Sequence, residues 1–178
     1  MKTFNLAWGK KVSPTFCAKV LEICRTFGWT DDHASWLMSC MAFESGETFS
    51  PSVKNAAGSG ATGLIQFMPA TAKGLGTTTT ELAAMSAVQQ LDYVYKYFKP
   101  YAGRIKTLPD MYMAILMPKF VGQPDSAVLF SGGVAYRQNS GLDANRDGKV
   151  TKAEAASKVQ ARLAKGNTLA AEVPSIQN

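Results

Sequence analysis

Hydrophobic residues along the chain fall into blocks with helical spacing, divided by polar and glycine-rich stretches. Phe16, Val20, Ile23, Cys24 and Phe27 recur at intervals of three and four. Ser13 and Pro14 precede this set and Gly28 follows it, which predicts a helix capped at Ser13 and ended at Gly28. Thr30 is suited to cap a second helix, with Asp31 and Asp32 favourable in its first turn. Ala34, Leu37, Met38 and Met41 mark one face of that helix. Glu44 stands three residues beyond Met41 and continues the face, so the pattern turns a carboxyl inward. Residues 46–63 are rich in Gly, Ser, Thr, Pro and Asn and read as a long surface loop. "GLIQFMPATAKGL" reads as a short apolar helix after a glycine-rich turn. A single helix is expected from Glu81 to Pro100, with Leu82, Met85, Val88, Leu91, Val94, Tyr95 and Phe98 inside. A shorter one runs from Asp110 to Met117 and stops at Pro118. Residues 119–142 look irregular, Thr151 to Ala164 forms a final helix, and residues 166–178 read as a flexible tail. No segment sustains strand alternation, so the expected class is all-α with at most a small β excursion in the loops.

Length and charge narrow the picture. The 178 residues suit one domain, 1–178, with a real core. Net charge is +6 and unevenly placed: residues 1–29 carry +4, residues 30–118 carry −1 and residues 119–178 carry +3. Basic ends around a neutral middle favour an anionic polymer or envelope as partner. No basic run reaches the density of a nucleic-acid arm and no nucleic-acid-binding signature is present, so no nucleic acid is expected as partner. "MKTFNLAWGKKVS" lacks the apolar core of a secretion signal, and no apolar run approaches the length of a membrane span. The expectation is a monomer made as a soluble product in the host cytoplasm, with no membrane insertion. Cys17, Cys24 and Cys40 are odd in number. The first two lie about 10.5 Å apart along a helix, too far for a disulfide, so all three read as small core residues. His33 is the single histidine, and no Cys/His spacing suits a zinc site.

The chemistry concentrates between Glu44 and Ala72, "ESGETFSPSVKNAAGSGATGLIQFMPATA". A glutamate closes a helix, a loop follows, and a Gly-Leu-Ile-Gln, Met-Pro, Thr-Ala series returns. Glu44-Ser45, Gly63-Leu64-Ile65-Gln66, Met68-Pro69 and Thr71-Ala72 together resemble the signature of the soluble lytic transglycosylase family. That resemblance implies a lysozyme-like fold, in the α+β lysozyme-like superfamily. It implies cleavage of the β-1,4 bond between N-acetylmuramic acid and N-acetylglucosamine in peptidoglycan, leaving a 1,6-anhydro end without use of water. It carries the catalytic acid onto Glu44, the active-site serine onto Ser45 and the sugar-contacting glutamine onto Gln66. The family's later Ala-Tyr-Asn-Ala-Gly segment has only a partial counterpart in "MYMAILMPKFVG". Tyr112 can stand for its tyrosine, as a cleft residue or as ordinary core; the Asn is absent.

Physical chemistry agrees with an acid at Glu44. A carboxyl that protonates a glycosidic oxygen must hold its proton near neutral pH, and desolvation by apolar neighbours achieves that. Met41, Phe43, Phe67 and Met68 are the expected neighbours. Most glycosidases use two carboxylates. Between Ser45 and Asp92 only Glu47 and Glu81 are available, neither with a reason to lie across a sugar, while Asp92 or Asp110 could fold back. The shortage favours an intramolecular attack by the substrate over activation of water. Tyr93, Tyr97 and Tyr101 share a helix face that reads as core before it reads as a sugar platform.

A second pattern lies near the end. "DANRDGKVTKAE", Asp143 to Glu154, fits an EF-hand loop. Asp143, Asn145 and Asp147 take positions 1, 3 and 5, and Gly148 the turn at 6. Lys149 offers its carbonyl at 7, Thr151 stands at 9 and Glu154 at 12. Val150 is expected to face inward. Oxygen donors on such a loop suit Ca²⁺, and a lone loop suggests a structural ion, with no cofactor needed for the chemistry. The expectation is therefore a peptidoglycan lytic transglycosylase, as a phage endolysin or virion-associated lysin. The stretch "ILMPKFVGQPDSAVLFSGG" is loosely similar to phage wall-lytic proteins. A hydrolytic muramidase on the same scaffold and a non-catalytic wall-binding virion protein are the alternatives.

Overall fold

The computed structural model describes residues 1–177. The chain opens with strand β1, Thr3–Leu6, and continues into helix α1, Pro14–Phe27. Ser13 accepts the Phe16 amide at the start of α1, and Gly28 closes it at φ 71°. Helix α2, Asp31–Glu44, begins in a capping box: Thr30 Oγ1 accepts the His33 amide and His33 Nδ1 accepts the Thr30 amide.

α2 is not one-faced. His33 through Ala42 lose almost all contact with solvent except at Trp36. It runs through the middle of the molecule, and its two central serines find partners as a buried site requires. Ser35 Oγ accepts the Ala7 amide (3.1 Å), and Ser39 Oγ donates to the Ser35 carbonyl (2.8 Å).

The stretch expected as one helix from Glu81 to Pro100 is two. Helix α3, Pro69–Gly74, is followed by α4, Thr79–Ala84, and α5, Ala87–Phe98. Met85 is extended, and Ser86 starts α5 with a capping box to Gln89. The apolar spacing crosses the break without a lapse, whereas the cap residues mark it. Helix α6, Leu108–Leu116, starts at the Thr107 cap. Within residues 119–142, expected to be irregular, lie strand β2, Val128–Ser131, and a short helix α7, Gly133–Asn139. Strand β3, Lys149–Thr151, pairs antiparallel with β2. Helix α8, Lys152–Asn167, packs across α2 and α6.

The tail expectation is corrected. α8 runs through Asn167, and strand β4, Ala171–Pro174, pairs antiparallel with β1, setting Ala171 opposite Leu6 and Pro174 opposite Thr3. Ser175 Oγ and the Ile176 amide both donate to the Asp31 carboxylate (2.6 and 2.7 Å). Alternating polar and small residues hid a strand whose partner lies at the other end of the chain. Asn178 falls outside the described residues. The architecture is therefore helical with two small antiparallel ribbons, compatible with a lysozyme-like α+β domain and not purely α.

One buried ion pair joins α8 to α6. Lys152 is 1% exposed and pairs with Asp110, while its other protons go to the Phe120 and Gln123 carbonyls. Burial pushes the Asp110 carboxyl up, but Lys152 and the Lys106 and Gly122 amides outweigh it and hold the group below its ordinary range. Asp110 is thus committed to the scaffold. The three cysteines are free and buried. Among the described residues no helix is long and apolar enough to cross a membrane.

Candidate active site

Glu44 is the last residue of α2. After it the chain turns sharply: Gly46 and Glu47 both take left-handed backbone, at φ 63° and 67°, and the Glu47 amide returns to the Ala42 carbonyl (2.6 Å). The Glu44 side chain opens onto a groove of about 350 Å³, with Phe43, Val53, Lys54, Asn55 and Gln66 along its walls. Among the described residues it has no hydrogen-bond donor and no cation as partner. Desolvation by burial is what raises its pKa, from 4.5 to about 7. Its charge reaches Cys40, Tyr97 and Tyr112, whose own ionisation is disfavoured first by burial and then further by Glu44. These three neighbours are neutral, and Lys54, the cation on the groove wall, donates to Thr62 Oγ1.

Gln66 faces Glu44 across the groove from an irregular loop. Its backbone is left-handed (φ 55°), uncommon for a residue with a Cβ. Both amide protons are used within the loop, on the Val53 and Gly63 carbonyls (3.1 Å each). The side-chain oxygen has no protein donor among the described residues and remains as a fixed acceptor for a ligand hydroxyl or amide. Thr62 and Phe67 exchange both backbone hydrogen bonds and set the base of this loop.

The loop is pinned by a residue the sequence reading missed. Gln90, in α5, is fully buried; its Oε1 accepts the Leu64 amide (2.8 Å), and its Nε2 donates to the Pro51 and Leu82 carbonyls (2.9 Å each). Gly63 must be glycine for this contact. Its φ is 87°, and a Cβ there would sit 2.3 Å from Gln90 Oε1. The available signal was a polar residue on an apolar stripe, one before Leu91 and four before Val94.

Two expected positions are corrected by their surroundings. Ser45 is 1% exposed, and its Oγ accepts the Phe49 amide (2.9 Å), so the hydroxyl holds the turn behind Glu44 and is not offered to a ligand. Tyr112 is core, 4% exposed and edge-on to Phe43 at 5.7 Å, and it shapes the Glu44 pocket from behind. Met41 and Phe67 are buried as a desolvating pocket needs, Phe43 is half-buried, and Met68 is exposed instead. Tyr97, read as core, comes closer than expected: it donates to the Ala114 carbonyl (2.6 Å) and lines a small recess beside Gln66.

Among the described residues no second carboxylate is free near Glu44. Glu47 lies between Arg162 (2.8 Å) and Lys165 (2.7 Å), Asp92 pairs with Lys19 (2.9 Å), Asp110 is buried on Lys152, and Glu81 accepts from Thr77.

The segment Asp143–Glu154 runs through β3 into the first turn of α8 and contributes no residue to the groove lining. One carboxylate oxygen from each of Asp143, Asp147 and Glu154 lies within 4.8 Å of the others. Gly148 turns at φ 83° and Val150 is buried. Asp143 takes the Tyr136 hydroxyl (2.6 Å) and the Gly148 amide (2.9 Å); Asn145 and Asp147 accept the Asp147 and Lys149 amides. Thr151 and Glu154 form the capping box that opens α8. An all-oxygen set on a tight turn fits a hard cation. The segment before it holds the short α7 and departs from a full entering helix.

With this geometry in place, comparison with known families gives one match: residues 30–115 fit the transglycosylase SLT domain. The match covers α2 through most of α6, including Glu44, Gln66 and Gln90, and excludes α8. No curated protein and no solved structure matches the chain.

Proposed function

We propose, from the premise that residues 30–115 are a transglycosylase SLT domain acting on peptidoglycan, that the chain cleaves the bond between N-acetylmuramic acid and N-acetylglucosamine with formation of a 1,6-anhydro end. The observation that carries this reading is an isolated, desolvated Glu44 with no second free carboxylate beside it. Near neutral pH Glu44 holds its proton and gives it to the glycosidic oxygen as the C1–O4 bond breaks. The muramyl 6-hydroxyl then attacks C1. The ionised Glu44 takes the hydroxyl proton, which restores the acid and leaves O6 bonded to C1. No water enters the balance. Gln66 Oε1 supplies a fixed acceptor that orients the sugar in the groove.

The setting we infer is a phage lysin, an endolysin or a virion-associated enzyme. It rests on the similarity of residues 115–133 to phage wall-lytic proteins and on a net charge of +6 that suits anionic wall polymers. We infer also that Asp143, Asn145, Asp147, Lys149, Thr151 and Glu154 hold a structural Ca²⁺; a melting temperature unchanged by Ca²⁺ and by chelator would remove that part.

Clearing of purified peptidoglycan suspensions tests the enzyme reading. Wild type clears, and Glu44→Gln loses about 10²-fold or more, the scale of a general acid–base catalyst. Equal and negligible clearing by both would leave a wall-binding protein instead.

A further inference from the structure

Glu47 is three residues past the proposed acid, outside the motif, and held at a backbone cost. Its φ of 67° costs a non-glycine residue on the order of 1–2 kcal/mol. The neighbouring Gly46 shows that glycine is available to such a turn, so the side chain at position 47 has its own reason. That side chain reaches α8, a helix beyond the matched family domain, where Oε2 meets Arg162 Nε at 2.8 Å and Oε1 meets Lys165 Nζ at 2.7 Å. The two cations are themselves seated. The Arg162 guanidinium lies over the Phe43 ring at 5.6 Å, and Phe43 walls the groove next to Glu44. Lys165 lies over the Trp8 ring at 5.9 Å, and Trp8 Nε1 donates to the Arg162 carbonyl (3.0 Å). Trp8 is fully buried against Gly166, where any Cβ would collide with the indole, so this end of α8 cannot slide.

We propose that Glu47 is a positioning residue: its carboxylate bridges Arg162 and Lys165, locks the turn that carries Glu44 against α8, and offsets one of the two positive charges that α8 sets behind Phe43. This rests on the reading of Glu44 as the proton donor. The charged and titratable groups around Glu44 are then accounted for. Cys40, Tyr97 and Tyr112 face it from α2, α5 and α6 as neutral groups. Lys54 stands on the far rim of the groove and donates to Thr62 Oγ1 (3.2 Å). Arg162 and Lys165 on α8 are the cations whose combined charge Glu47 reduces from two to one. Without its carboxylate two effects act in the same direction: the loosened turn admits water, and the freed cations favour the ionised form of Glu44.

The test reads the ionisation of Glu44 directly, by carboxyl carbon-13 NMR titration assigned by difference with Glu44→Gln, together with the pH dependence of kcat on peptidoglycan. For Glu47→Gln the Glu44 midpoint moves to lower pH by about half a unit or more, so that activity falls about twofold at neutral pH and about threefold in mild base, and persists in acid. Glu47→Asp, which keeps the charge, restores much of the wild-type profile. The double variant Arg162→Met with Lys165→Met leaves Glu47 as an uncompensated anion and moves the midpoint the other way; it also covers the case in which Glu47→Gln does not fold. An unmoved midpoint in a folded variant overturns the proposal. Absence of cleavage by wild type would overturn the enzyme reading alone, since the NMR midpoints test the clamp without activity.

Discussion

Replacing Glu44 by Gln should stabilise the protein, and only where the carboxyl ionises. The unfolded chain ionises this glutamate near 4.5, whereas burial raises the folded value to about 7. In acid both states hold the proton and the position costs nothing. As pH rises through that interval the unfolded state releases its proton first, so wild-type stability falls, and above about 7 the full cost is present. A difference of about 2.5 units at 1.36 kcal/mol per unit sets an upper bound of about 3.4 kcal/mol, reduced by whatever water reaches the open side of the groove. Gln has the same shape and never ionises. For a chain of this size each kcal/mol moves the melting temperature by about 2–4 °C. Calorimetry of wild type and Glu44→Gln from about pH 4.5 to 8.5 should give melting curves that coincide in acid and separate by up to about 10 °C in mild base, the variant on top. A separation that does not grow with pH, or a wild type that is more stable in base, would show that ionised Glu44 has favourable partners, and would refute a desolvated acid.

Further outcomes follow from the scaffold. Lys152→Met strands a buried Asp110 carboxylate and should cost about 3–5 kcal/mol in denaturant unfolding, whereas a surface pair would cost under about 1. Gln90→Leu removes the acceptor of the Leu64 amide and should lower kcat/KM on peptidoglycan by tenfold or so while the protein stays folded, since about 1–3 kcal/mol of buried hydrogen bonding leaves the Gln66 loop. Burial holds the His33 imidazole below its ordinary value, so its contribution is present above about 6.5 and lost as pH falls toward the folded value. His33→Ala should therefore abolish an acid-side loss of stability that wild type shows. Removing residues 170–178 should lower the melting temperature by several degrees, because β4 and the Asp31 contacts go with them, whereas loss of a loose tail would leave it unchanged.

The sequence made the site legible where chemistry and periodicity coincide. Glu44 continues an apolar face, so its inward aim was readable, and Gln66 was marked by its motif. The start of α2 was equally plain, since Thr30 is a strong cap. Ser45 was misplaced because a hydroxyl after a catalytic residue looks the same whether it meets a ligand or holds the Phe49 amide. Gln90 and Glu47 act across long separations, on Leu64 and on α8, and local spacing carries no trace of such pairs beyond a polar residue in an apolar stripe. β4 escaped for the same reason: a four-residue strand exists only because β1, at the far end of the chain, offers it an edge.

The central claim is that Glu44 works alone, with the substrate's own hydroxyl as nucleophile. Digestion of purified peptidoglycan in oxygen-18-labelled water, followed by mass spectrometry of the released glycan ends, tests it most directly. The account predicts 1,6-anhydro ends carrying no label. Reducing ends with one oxygen-18 atom would contradict it and make the protein a hydrolase.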